Sequence, residues 1–289
     1  MARRWYVPLL ALPVVIGTVV AVAAGVASAS PGLRQRAASG AAAQRVFPGA
    51  PMIRPSGPAV PGLRGGVNAT ATSSNWAGYV LQGRSGAFRS VSASWVEPRV
   101  TCTGVRGHRF AAFWVGLDGA NPNPLVLPTV EQTGADSDCV RDRPTYYGWF
   151  EMFPAPPVFF HNAIRAGDHM SASVRFSGTR TYVLVLTDHT RRWTHIITKN
   201  EGGLKRASAE VIAEAPTLVF PGGKQSLAPL ANFHTMRWTG SKVNGTLLRN
   251  LPRRIRIIMT RDPGGGPVKC QTSLVSTADA FTNTYVRAT

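Results

Sequence analysis

Beyond Val67 the chain alternates apolar and polar residues over short runs broken by Gly, Pro, Asn and Asp. Almost nowhere does it repeat at the 3.6-residue interval of a helix. These runs predict strands at 76–81, 90–96, 110–117, 145–153, 169–176, 181–187, 194–198, 208–214, 233–238, 255–260 and 271–276. So many strands with no helices between them indicate an all-β chain folded as a two-sheet antiparallel β-sandwich.

Alternation also says which side chains share a face. Tyr147, Trp149, Glu151 and Phe153 fall in one row, a single carboxylate among aromatic rings, as in an amphipathic substrate cleft. Along 208–214, Glu210, Ile212 and Glu214 share one face, while Ala209, Val211 and Ala213 share the other. Taken alone, a strand glutamate is expected on a solvated outer face.

The N-terminal region has a different pattern. Arg3 and Arg4 precede a long uncharged apolar run that ends at Ala27-Ser28-Ala29, which reads as a secretion signal over 1–29. An uncleaved membrane anchor is the alternative, because the run is long enough to span a bilayer. The stretch 30–70 is rich in Pro, Gly and Arg and poor in large apolar residues, so it reads as a propeptide or linker. The β-sandwich is expected over 71–289.

Charge changes the picture further. The chain carries 32 Lys plus Arg and 14 Asp plus Glu, a net +18, and no carboxylate precedes Glu97. Seven of the bases lie before Val67, leaving 25 against 14, or +11, for the folded part. The bases are scattered singly between strands without a basic stripe or helix-turn-helix, so nucleic acid is not the expected partner. Three cysteines suit an exported protein with one disulfide, most plausibly Cys102 to Cys139, leaving Cys270 over.

Common catalytic signatures are missing. There is no His-Glu-x-x-His, no Gly-x-Ser-x-Gly, no pepsin-like Asp-Thr/Ser-Gly pair and no phosphate-cradling glycine loop. Six segments in order nonetheless form a pattern. They are Ser74-Asn75-Trp76-Ala77-Gly78-Tyr79, Val91-Ser92-Ala93-Ser94-Trp95-Val96, Trp114-Val115-Gly116-Leu117-Asp118-Gly119, Glu131-Gln132-Thr133-Gly134-Ala135-Asp136, Tyr147-Gly148-Trp149-Phe150-Glu151 and Ala209-Glu210-Val211-Ile212-Ala213-Glu214. Together they resemble the ordered motifs of the glutamic peptidases, the eqolisins.

The resemblance implies a secreted acid endopeptidase with a concanavalin A-like, jelly-roll sandwich, made with a propeptide and using no cofactor or metal. It places the family's catalytic glutamine on Gln132 and its catalytic glutamate on Glu214. Trp76, Trp114, Asp118, Asp136, Trp149, Glu151 and Glu210 fall at positions in or beside the substrate cleft. Peptides or proteins are the implied substrates, and the enzyme is expected to be a monomer free of the membrane once the signal is cleaved. Two departures stand out: Val211 replaces a usual aromatic residue, and Glu131 replaces a usual apolar one.

The chemistry of such a pair follows from its functional groups. Amide hydrolysis without a covalent intermediate needs a base for water, a donor for the oxyanion and an acid for the leaving nitrogen. A glutamate serves as base and then as acid, while a glutamine offers a donor and an acceptor that do not titrate. Carboxylates gathered around the pair raise one another's pKa, which favours work in acid. For Asp118 and Asp136 the competing reading is turn formation beside Gly119 and Gly134. Two other functions compete: a non-catalytic module stacking sugars on Trp76, Trp114 and Trp149, and a glycoside hydrolase using Glu151 and Glu214.

Overall fold

A computed structural model describes residues 52–54, 68–104, 107–120, 129–220, 224–262 and 264–289. The expected signal and nearly all of the expected leader lie outside the described residues. Thirteen strands of six or more residues run in chain order. They are β1 (Trp76–Gln82), β2 (Ser90–Val96), β3 (Ala112–Leu117), β4 (Val130–Val140), β5 (Arg143–Phe153), β6 (His169–Gly178) and β7 (Thr181–Asp188), then β8 (Trp193–Asn200), β9 (Ser208–Glu214), β10 (Thr235–Val243), β11 (Ile255–Asp262), β12 (Gly265–Thr272) and β13 (Ala280–Tyr285). Regular helix among the described residues amounts to a 3-10 turn at Leu248–Asn250, and none is long and apolar enough to cross a membrane.

Hydrogen-bonded neighbours follow the order β11, β1, β9, β3, β4, β5 in one layer. The other layer runs β12, β13, β10, β2, β6, β7, β8, and β11–β12 pairing joins the two. Every pair in this list is antiparallel. Between the layers the inward rows interdigitate: Phe113 meets Phe233 at 5.1 Å between ring centroids, Tyr79 meets Phe281 at 4.8 Å, and Phe113 meets Trp238 at 6.5 Å. The all-β sandwich expected from alternation is therefore present.

Two features differ from the sequence reading. No strand is expected over the eleven residues of β4, because Glu131-Gln132-Thr133-Gly134-Ala135-Asp136-Ser137-Asp138 lacks apolar alternation. In the fold β4 is paired on both sides and entirely buried, and Thr133, Asp136, Ser137 and Asp138 bond to groups on other elements. Strand β13 lies outside the expected runs, and β12 ends at Thr272, so most of the strand expected at 271–276 is a connection, whereas β2 and β9 match to the residue. The disulfide joins Cys102 to Cys139 as expected, and Cys270 is a buried free thiol.

Candidate active site

The face of the first layer that points away from the inter-sheet core carries the polar motifs. β9 is buried on both of its faces: Ala209, Val211 and Ala213 enter the inter-sheet core, while Ile212 joins Trp76, Trp114 and Trp149 in a second apolar cluster. Glu210 and Glu214 share the face of Ile212 and are fully buried, not solvated as strand glutamates on their own are expected to be.

Register places the other residues. Glu214 stands opposite Trp76 on one side and Ala112 on the other. Gln132 stands opposite Gly116 and Glu151. The pair thus sits on strands flanking β3, displaced along it by the interval Ala112 to Gly116, with Trp114 between them. The Trp114 indole spans that interval. Its Nε1 donates to Glu214 Oε2 at 2.8 Å, and its ring edge lies against Gly116, beside the Cβ of Gln132. A side chain at 116 would meet that ring at 2.9 Å, so glycine is what lets tryptophan and glutamine share this space.

Glu214 has a second anchor. Asn75 Nδ2 donates to its Oε1 at 3.2 Å, and Asn75 is in turn held by the Ser73 hydroxyl, which donates to Asn75 Oδ1 at 3.0 Å. Neutral donors from two elements therefore orient one buried carboxylate. Gln132 Nε2 donates to Glu151 Oε2 at 2.6 Å, which fixes the amide and leaves Oε1 buried without a partner among the described residues. Trp76 Nε1 is also buried and has no partner among the described residues, its ring edge-on to Trp114 at 5.2 Å.

The remaining expected residues divide into two supporting groups. Asp136 accepts from Trp149 Nε1 at 2.6 Å and so orients that indole; it lies within β4, not in the turn that Gly134 suggested. Asp118 does occupy a turn, at φ 71°, and accepts from the Ala207 backbone N–H at 2.6 Å. Glu210 accepts from the Ala120 backbone N–H at 3.1 Å and pins the same turn. Burial pushes Glu210 up to about 8, with Asp118 adding repulsion, and raises Asp118 itself. Asp136 is raised well above the carboxylate range by burial and the neighbouring Asp138, and Asp138 is pushed to about 8, again chiefly by burial.

Asn75 and Asp138 escaped the sequence reading as site residues. Asn75 lies inside a quoted motif, and its signal is the Ser-x-Asn spacing that lets a hydroxyl hold the amide. Asp138, which accepts from the Tyr147 hydroxyl, gave no signal, because β4 was not seen as a strand. Glu131 points from the opposite face of β4 and stands away from the pair. Trp76, Trp114 and Trp149 are fully buried, which removes the exposed stacking platform of the sugar-binding alternative.

The β-sandwich with these ordered motifs is that of a glutamic endopeptidase. More narrowly, the chain belongs to the Peptidase A4 family, whose sequence profile matches residues 74–283. Among solved structures it is similar to scytalido-glutamic peptidase with a transition state analog inhibitor. That match has TM-score 0.60 and 23% identity, and covers 74% of this chain and 98% of the other. It is also similar to SCP-B, a member of the eqolisin family, in complex with the tripeptide Ala-Ile-His. There the TM-score is 0.59 and the identity 23%, with the same coverage. No curated protein sequence matches the chain.

Proposed function

We propose that this peptidase is exported and works in acid, with Glu214 activating water and Gln132 stabilising the oxyanion, on a concanavalin A-like, jelly-roll sandwich. The observation that carries the proposal is the contrast between the two side chains. Both oxygens of Glu214 are oriented by neutral donors, and the amide of Gln132 is clamped at one end with its Oε1 left for a ligand. Glu214 takes a proton from water and later returns it to the leaving nitrogen. The second N–H of the Gln132 amide faces the developing oxyanion while its carbonyl orients the water. Trp76 Nε1, buried and unpartnered, supplies a further donor toward substrate.

Glu210 is the rival for the base, since it lies opposite Gly116 and hence level with Gln132. Its pKa near 8 keeps it protonated throughout the acid range, and its carboxyl is committed to the Ala120 turn. That leaves Glu214 as base and makes Glu210 a positioning residue.

Export is supported by the Cys102–Cys139 disulfide together with the N-terminal signal pattern. A propeptide role for the leader is supported by a short antiparallel pairing of Met52–Arg54 with Thr217–Val219, a few residues beyond Glu214. The enzyme acts as a monomer on peptide and protein substrates. Casein digestion from pH 2 to 8, with and without residues 30–70, tests these points. Cleavage confined to acid, insensitive to pepstatin and chelator and faster without the leader, is expected. A neutral optimum, or cleavage abolished by pepstatin, contradicts the proposal.

A further inference from the structure

The charge excess becomes sharper at the surface. Eleven of the 14 carboxylates are buried, and only Asp142, Glu201 and Asp262 are exposed. Part of the resulting cationic surface is gathered at one end of the sandwich, where the connections 83–89 and 201–207 meet the β6–β7 turn. Backbone hydrogen bonds hold them together: Gly86 N donates to Lys205 O at 2.7 Å, Phe88 N to Arg206 O at 3.1 Å, Phe176 N to Arg89 O at 2.8 Å, and Glu201 N to Arg180 O at 2.8 Å. Arg84, Arg89, Arg175, Arg180 and Lys205 are exposed here, and none of the five forms an ion pair among the described residues. Arg206 and Arg89 lie over the Phe176 ring, 3.8 and 5.3 Å from its centroid, which fixes two guanidinium groups in place. Glu201 is the one acid in these connections.

Like charges held this close repel, and the arrangement calls for an anionic partner. The chain's own N-terminal segment cannot serve, because its first 96 residues hold no carboxylate. A second copy offers only three exposed acids. A membrane surface would be held by charge alone here, because the exposed large apolar side chains, Val96, Ile196, Leu227, Leu274 and Val286, lie on other segments. Nucleic acid would offer the same fixed charges, but the stacking platforms of single-strand binders are missing, since no aromatic residue is among those exposed side chains. We propose that this end of the sandwich binds a linear anionic polysaccharide. Such a polymer brings repeated fixed charges that suit guanidinium forks and needs neither apolar anchor nor stacking base. Arginine does not titrate, and sugar carboxylates stay ionised to about pH 4, so the contact persists in acid.

Retention of the full chain on immobilised polygalacturonate at pH 5, measured across NaCl concentrations, tests the proposal. A variant with Arg84, Arg89, Arg175, Arg180 and Lys205 all changed to Gln should lose affinity at least ~10-fold at about 0.1 M salt. A control with Arg143, Arg192, Lys224, Arg253 and Arg287 changed to Gln removes the same charge elsewhere and should lose less than ~3-fold. If the patch variant does not fold, the double variant R84Q/K205Q, altered only at exposed positions, should show a loss of about 3-fold. Cleavage of a neutral peptide stays unchanged throughout. The proposal is overturned by equal losses in patch and control variants, by no retention of the parent chain, or by tighter binding of single-stranded oligothymidylate than of polygalacturonate. Slower cleavage of acidic peptides with polymer retention intact likewise reassigns the patch to substrate selection and overturns it.

Discussion

Glu214 owes its orientation to two residues that do no chemistry themselves. Trp114 and Asn75 donate to its separate oxygens, so losing either donor frees the carboxylate without adding a charge. Trp114→Phe and Asn75→Ala are each expected to lower kcat about 10- to 100-fold, with KM changed less, since the loss falls on the positioned group. Steady-state kinetics on one peptide separates these outcomes, and an unchanged kcat contradicts the positioning role. At Glu210 the expectation reverses: Glu210→Gln mimics the protonated acid already present in acid, so activity at pH 4 should stay within about 3-fold of the parent. The motif order pointed to Gln132 and Glu214, whereas only the Ser-x-Asn spacing hinted that Asn75 holds the glutamate.

At the scale of strands, alternation located most of the sandwich and missed its most consequential element. Strand β9 was legible because Ala209, Val211 and Ala213 alternate with larger residues; β4 was not, because polar residues occupy both of its faces. Its polar residues face partners supplied by other strands, and periodicity cannot see partners. The glycines of this layer are informative for the same reason. A Cβ at Gly134 would lie 2.1 Å from the Phe113 carbonyl oxygen, a backbone atom, whereas at Gly116 it would meet the side chains of Trp114 and Gln132. Gly134→Ala is therefore expected to cost more than about 3 kcal/mol or to abolish folding. Gly116→Ala should reduce activity more than the thermal midpoint, and parallel melting and activity measurements distinguish the two. The Cys102–Cys139 bridge closes a separation of 37 residues, so Cys102→Ser with Cys139→Ser should cost about 2–4 kcal/mol in denaturant unfolding.

For the whole molecule, the buried carboxylates set the direction of pH dependence. Burial is the largest cause of the rise in Glu97, to about 7, and in Asp138 and Glu210, each to about 8. In the unfolded chain these groups titrate near 4, so the folded state holds the extra protons between about pH 4 and 8. The stability they contribute is complete below about pH 4 and is lost as pH rises through 7 to 8. The thermal midpoint should fall by at least ~5 °C from pH 4 to pH 8, and a flat or rising profile contradicts this. An enzyme whose fold is favoured in acid is suited to act there. The proposed catalytic pair is tested most directly by the pH profile of kcat/KM on an unfolded protein, for the parent chain, Glu214→Gln and Gln132→Ala. An acid optimum is expected for the parent, with losses of at least about 10³-fold for Glu214→Gln and 10²-fold for Gln132→Ala, both variants keeping the parent's melting behaviour. Full activity in either variant contradicts the assignment.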